Sequence, residues 1–280
     1  MVRYFLGLMS LVVWCAASQA EEAPRLKFAK GEVLKYRIEQ TTSADEIIID
    51  EKTNKPTPTK SSTKLSLIKV WTISEVDEKG IATLDLSLEW MKIERVLPNG
   101  EKDSFDSKDA NEDNQAEMKR LVGPKLATLK MDTLGQLIEV KESKYGPASR
   151  FTAELPFKVT LPEKEAKEGI AWDRHFTIKL DPPAGTGETY ATKQTYTMKA
   201  PTNGFTVINI NTTLKEPPMQ ANDLIPLLPM MLQGEVYFHA PTGRYFGARL
   251  KMEKTIENHL GEGTKYTYAS TYVEDLIPKK

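Results

Sequence analysis

Alternation of apolar and polar side chains is the dominant pattern along the chain. Over 81–90, Ala82, Leu84, Leu86, Leu88 and Trp90 fall on one face, and Thr83, Asp85, Ser87 and Glu89 on the other. A period of two belongs to an antiparallel strand with one face buried. Just upstream, Leu65, Leu67, Trp71 and Ile73 share a face that Lys69 interrupts. Asp77-Glu78-Lys79-Gly80 between the two runs predicts a hairpin turn, with Gly80 supplying a positive φ. Near the C-terminus, Leu250, Met252 and Ile256 alternate with Lys251, Glu253 and Thr255. Gly261-Glu262-Gly263 then turns the chain, and Tyr266, Tyr268 and Tyr272 line one face of a last strand.

Helical signals are few. Residues 111–121 carry acidic side chains early and basic ones late, which suits the helix dipole. Residues 221–233 are a second candidate, although Pro226 and Pro229 each remove a backbone donor and argue against a regular helix. Within it, 223–232 (DLIPLLPMML) is the greasiest stretch beyond the N-terminus. Segments 50–62 and 104–114 are polar and read as loops, and 155–169 reads as a junction between halves.

A weak repeat links the halves. Gly31-Glu-Val-Leu-Lys-Tyr-Arg-Ile38 is matched by Gly169-Ile-Ala-Trp-Asp-Arg-His-Phe176, the stretch 71–80 by 196–204, and 129–138 by 236–245. The expected fold class is therefore mainly β: antiparallel sheets with hairpins, two related lobes sharing one curved or barrel-like sheet, and one or two short helices. The expected division is a signal peptide over 1–20, a first β-rich lobe over 21–160 and a second over 161–280.

Composition changes this picture at the N-terminus. Arg3 precedes an apolar run from Phe5 to Ala16, and Ser18-Gln19-Ala20 supplies small residues before a cleavage point. This predicts an export signal cleaved after Ala20, too short to span a bilayer. Val13-Trp14 before Cys15 is a poor fit to a lipidation site. Cleavage would remove that cysteine, the single one among 280 residues, leaving no disulfide, thiol nucleophile or Cys-based metal site. The expected location is periplasmic or extracellular, with no transmembrane anchor after cleavage. The 38 basic and 39 acidic residues nearly cancel, so no electrostatic footprint points to nucleic acid.

The run 234–245 (GEVYFHAPTGRY), the opening 31–36 (GEVLKY) and the junction 161–172 (LPEKEAKEGIAW) together resemble a family of uncharacterised exported β-rich proteins found largely in planctomycete-type bacteria. The resemblance rests on glycines and aromatics and covers most of the chain beyond 20. It implies export and a β-rich fold, and brings no catalytic residue with it.

The search for chemistry returns little. His175, His239 and His259 are too far apart in sequence for an H-x-x-x-H metal pair. Ser61-Ser-Thr-Lys64 fits S-x-x-K but sits in a polar loop without the partner motifs. Ala184-Gly-Thr-Gly-Glu-Thr189 lacks the G-K-[ST] ending of a phosphate loop. Asp109, Asn111 and Asp113 start a calcium loop that Asn114 and Arg120 break. No catalytic residue, metal or cofactor is expected, and the chain is expected not to be an enzyme.

Two functions remain. One is a structural or interaction protein of the cell envelope, contacting another envelope protein. The other is a binding or carrier module for an apolar ligand such as lipid, with Leu224, Ile225, Leu227, Leu228, Met230, Met231 and Leu232 lining the site; methionines suit a surface that repacks around different ligands. The same side chains could instead fill a dry core.

Overall fold

The computed structural model describes residues 23–50, 52–109, 116, 119–144, 146–164 and 167–278. The expected signal segment lies outside them, as does most of the helix expected over 111–121, of which the described residues 116 and 119–121 are helical. The strands are β1 (Val33–Ile49), β2 (Pro56–Val76), β3 (Ala82–Val96), β4 (Lys102–Asp106), β5 (Ala127–Met131), β6 (Leu137–Ser143), β7 (Ala171–Lys179), β8 (Thr189–Met198), β9 (Thr206–Leu214), β10 (Gln233–His239), β11 (Arg244–Glu257) and β12 (Lys265–Leu276). A short helix, α1, spans Ser149–Ala153, and a 3-10 segment, η1, spans Ala221–Met230.

All twelve strands join one antiparallel sheet in the order β6-β5-β3-β2-β1-β12-β11-β10-β9-β8-β7, with β4 beside β3. The fold is thus mainly β, and the sheet runs unbroken between the N- and C-terminal halves through the β1–β12 pairing. The chain steps outward from β1 to β6, crosses through 144–170 to the far edge at β7, and steps back to β12. The edges β6 and β7 do not pair, so the sheet is not closed. α1 touches both of them.

Local chemistry explains the turns. Gly80 has φ +79°, and the Asp77 carboxylate accepts from the Lys79 and Ile81 amides at 2.9 Å each, fixing the β2–β3 hairpin. The polar segment 50–62 is a correction. β1 and β2 pair out to Ile49↔Pro56, so the loop shrinks to a tight turn in which Asp50 accepts from Lys52 and Thr53. Pro56 and Pro58 are tolerated because β3 pairs with β2 only from Ser62 onward, leaving this stretch at an edge where a missing donor costs little.

A second correction concerns β3. Ile68 faces Trp90 while Lys69 faces Leu88, so Glu89 is an extra residue in the ladder. A one-residue bulge reverses which face later side chains occupy. Trp90 therefore leaves the face of Leu86 and Leu88, and its indole nitrogen donates to Asp106 at 2.9 Å. Met91 and Ile93 take its place.

The crossing segment forms the centre of the core. Leu155, Phe157, Val159 and Leu161 are buried. The Phe157 ring lies 6.0 Å from Tyr36, 6.2 Å from Trp71 and 5.7 Å from Tyr245, joining β1, β2 and β11. The Trp172 indole of β7 donates to the Thr160 carbonyl at 2.7 Å, and the Leu161 amide to Leu134 at 2.7 Å in the β5–β6 turn. One strap thus ties both edges to the inner face.

Candidate functional site

Where the strap leaves the sheet uncovered, a cavity of about 390 Å³ remains. Its walls are Leu65 and Leu67 of β2 and Leu86, Leu88, Met91 and Ile93 of β3, the last two placed there by the bulge. Phe151, Leu155 and Pro156 of the crossing form the opposite side. Leu65, Leu67, Leu86, Leu88 and Ile93 are only half-buried although their strands lie inside the sheet.

Charged side chains also line the chamber. Lys69, Arg150, Glu154 and Lys158 line it together with Tyr272. Lys69 Nζ lies 2.5 Å from Glu274 Oε1, and Glu274 is fully buried. The other Glu274 oxygen accepts from Tyr245 at 2.6 Å and Tyr272 at 2.8 Å. Burial, reinforced by the Glu274 charge, holds the Tyr36, Tyr245 and Tyr272 phenols well above their ordinary range, so they remain neutral donors. Burial also lowers the Lys69 ammonium, against the opposing pull of Glu274. The Trp71 indole nitrogen is buried on this wall without a hydrogen-bond partner.

A second chamber of about 270 Å³ adjoins the first and shares Gln40, Glu154, Leu155, Lys158 and Tyr272 with it. It is more polar. Arg174 and Gln194 reach into its lining, alongside Ile210, Leu232 and Leu250. Arg174 donates to Gln194 Oε1 at 3.2 Å and to the Thr152 carbonyl, and stacks 4.3 Å over Phe176. Burial pushes Glu154 up, but Lys158, Arg150 and Lys69 outweigh it and hold the carboxyl below its usual range.

The residues singled out in η1 and just after it are distributed differently. Leu227 and Leu228 are fully buried: Leu228 with Met252, Ile256 and Tyr268, and Leu227 with Ile178 and Leu180. Leu224 and Met231 pack against both clusters. Ile225 joins the Leu228 cluster and borders a surface groove with Asp223 and Pro226. Met230 and Leu232 line the smaller chamber, and none of the seven lines the larger one. The segment plugs the inner face of the C-terminal half, while the open apolar wall belongs to β2 and β3. The signal for that wall was Lys69, a lysine in the middle of an apolar face.

The histidines lie elsewhere. His239 Nδ1 is 2.7 Å from Thr242 Oγ1, His259 Nε2 is 2.8 Å from Glu46, and His175 is exposed on β7. Among the described residues, no three His, Cys, Asp or Glu side chains gather as a metal cage, and no helix is long and apolar enough to cross a membrane.

No family model matches the chain, and no curated protein matches it in sequence. Two solved structures are similar in part. One, described as lipid–protein interactions in lipovitellin, has a TM-score of 0.49 at 10% identity and covers 90% of this chain and 26% of that one. The other, DynF from the dynemicin biosynthesis pathway of Micromonospora chersina, has a TM-score of 0.20 at 10% identity and covers 99% and 94%. The chain thus spans about a quarter of the length of the lipovitellin chain. Both likenesses fall below a TM-score of 0.5.

Proposed function

We propose that this chain is an exported binding or carrier module for a small amphipathic molecule, acting by binding and not by catalysis. The observation that supports it is the half-buried wall of Leu65, Leu67, Leu86, Leu88 and Ile93 facing a 390 Å³ cavity that Lys69, Arg150, Glu154 and Lys158 also line. That volume lies in the range of small-molecule sites, about 300–1,000 Å³, which combine apolar walls with a few placed polar groups.

Native mass spectrometry of protein purified from its own source without detergent tests this. A discrete extra mass that organic solvent removes is expected. Leu88→Trp, which fills the cavity from its wall, is expected to abolish that mass while leaving the cooperative thermal transition in place. A bare protein mass, together with no uptake of a supplied long-chain amphiphile, would sink the reading.

A second reading, an interaction protein of the envelope, draws on the two unpaired edges. Ile138 on β6 is 54% exposed and Ile170 beside β7 is 51% exposed. Exposed apolar side chains on an unpaired edge favour pairing with another chain. It expects a protein complex disrupted by Ile138→Lys and indifferent to Leu88→Trp.

A further inference from the structure

We propose that the molecule held in this cavity carries a small anionic head group on an apolar tail, and that Lys158 and Arg174 hold that head group. The inference rests on the binding-module reading and adds the chemical class of the ligand.

The chambers differ in character and share a boundary of five residues, Lys158 and the carboxylate Glu154 among them. Lys158 lines both, with the leucine wall on one side and Arg174 and Gln194 on the other. A tail against β2 and β3 would leave its head beside Lys158, where the two chambers adjoin.

The local charges favour an anion there. Lys69 is paired with Glu274 at 2.5 Å. Arg150 faces Glu154 at 3.8 Å. Lys158 and Arg174 form no ion pair with a carboxylate among the described residues. Lys158 has its ammonium 5.0 Å from the Tyr272 ring, and Arg174 is held by Gln194, the Thr152 carbonyl and the Phe176 ring. The nearby Glu154 is shared among Lys158, Arg150 and Lys69, so the cluster keeps an excess of positive charge. Both cations are half-buried, where an added anion is screened less than at an open surface.

The backbone gives an independent indication. Four non-glycine residues among those described have positive φ: Asn54, Asn203, Asn258 and Lys158 at +56°. Asparagine adopts that conformation with little penalty, whereas a lysine is strained in it. Lysine at 158 therefore stands against the local backbone preference, with its ammonium over the Tyr272 ring and near Glu154.

That contrast also provides a clean variant. Lys158→Asn suits the local backbone while removing the ammonium. Isothermal titration calorimetry of the delipidated chain, below the aggregation concentration of each probe, would use dodecanoate, monododecyl phosphate, dodecanol and dodecyltrimethylammonium. In the unaltered protein the two anions are expected to bind roughly tenfold or more tighter than the alcohol, the gain of a charge-assisted contact, and the cation weakest. Lys158→Asn and Arg174→Gln are expected to erase the preference for anions and leave the alcohol within about twofold of its original affinity. The relative affinity of the two anions identifies the head group as carboxylate or phosphate. Equal binding of alcohol and anions to the unaltered protein, or an undiminished preference in Lys158→Asn, would overturn the head-group assignment and leave the binding-module reading standing. Binding of none of the four would overturn both.

Discussion

Lys69 and Glu274 pair directly near the centre of the sheet, and the Tyr245 and Tyr272 phenols donate to the other oxygen of Glu274. Breaking one side of a buried ion pair leaves an uncompensated charge, at a cost of about 3–5 kcal/mol. Glu274→Ala also orphans two phenol donors. A loss of that size is expected in urea unfolding; a loss below about 1 kcal/mol would show that the network does not support the fold. The double variant Lys69→Met, Glu274→Gln is expected to lose less than Glu274→Ala, because no charge is stranded. Glu154 supplies a pH dependence. Its folded-state pKa is lowered, so in the window between the folded and unfolded values the unfolded chain binds more protons and stability rises with pH. Its contribution is complete above about pH 4.3, the ordinary glutamate value, and is lost as pH falls through the lowered one. Thermal melts of Glu154→Gln are expected to show a shallower decline on acidification than the unaltered chain; parallel curves would remove Glu154 from this role.

Elements differ in how far the sequence revealed them. The hairpins at Gly80 and at 258–264 follow from a period of two and from turn residues, both local signals. The bulge at Glu89 has no local signal, because its position depends on the register of β2, and it decides that Met91 and Ile93 face the chamber. The apolar content of 223–232 was plain, but a strip of leucines reads the same whether it meets core or ligand. The two prolines shape it into a 3-10 segment that seats Leu227 and Leu228 in separate clusters. Leu228→Ala is expected to cost about 2–5 kcal/mol, as a buried leucine truncation does. Met219→Ala, at a fully exposed position just upstream, is expected to stay within about 0.5 kcal/mol. Comparable urea midpoints for the two would show that η1 is not a core element. The Lys69 interruption was visible from the start; its meaning required Glu274, at the far end of the chain.

At the scale of the whole molecule, one strap organises the sheet. Phe157 touches rings from β1, β2 and β11, so Phe157→Ala is expected to cost about 3–5 kcal/mol and to loosen the chamber that the strap borders. The pairing of the first strand with the last has a further consequence, in time. β1 meets β12 along a ladder from Tyr36↔Leu276 to Ile47↔Lys265. Contacts this distant in sequence form slowly, since the whole intervening chain must be brought round first. As the chain folds, β1 can pair with its neighbour β2 on one side, but its other side must wait for the final strand. Until that strand arrives, the middle of the future sheet is an open strand edge presented to neighbouring molecules.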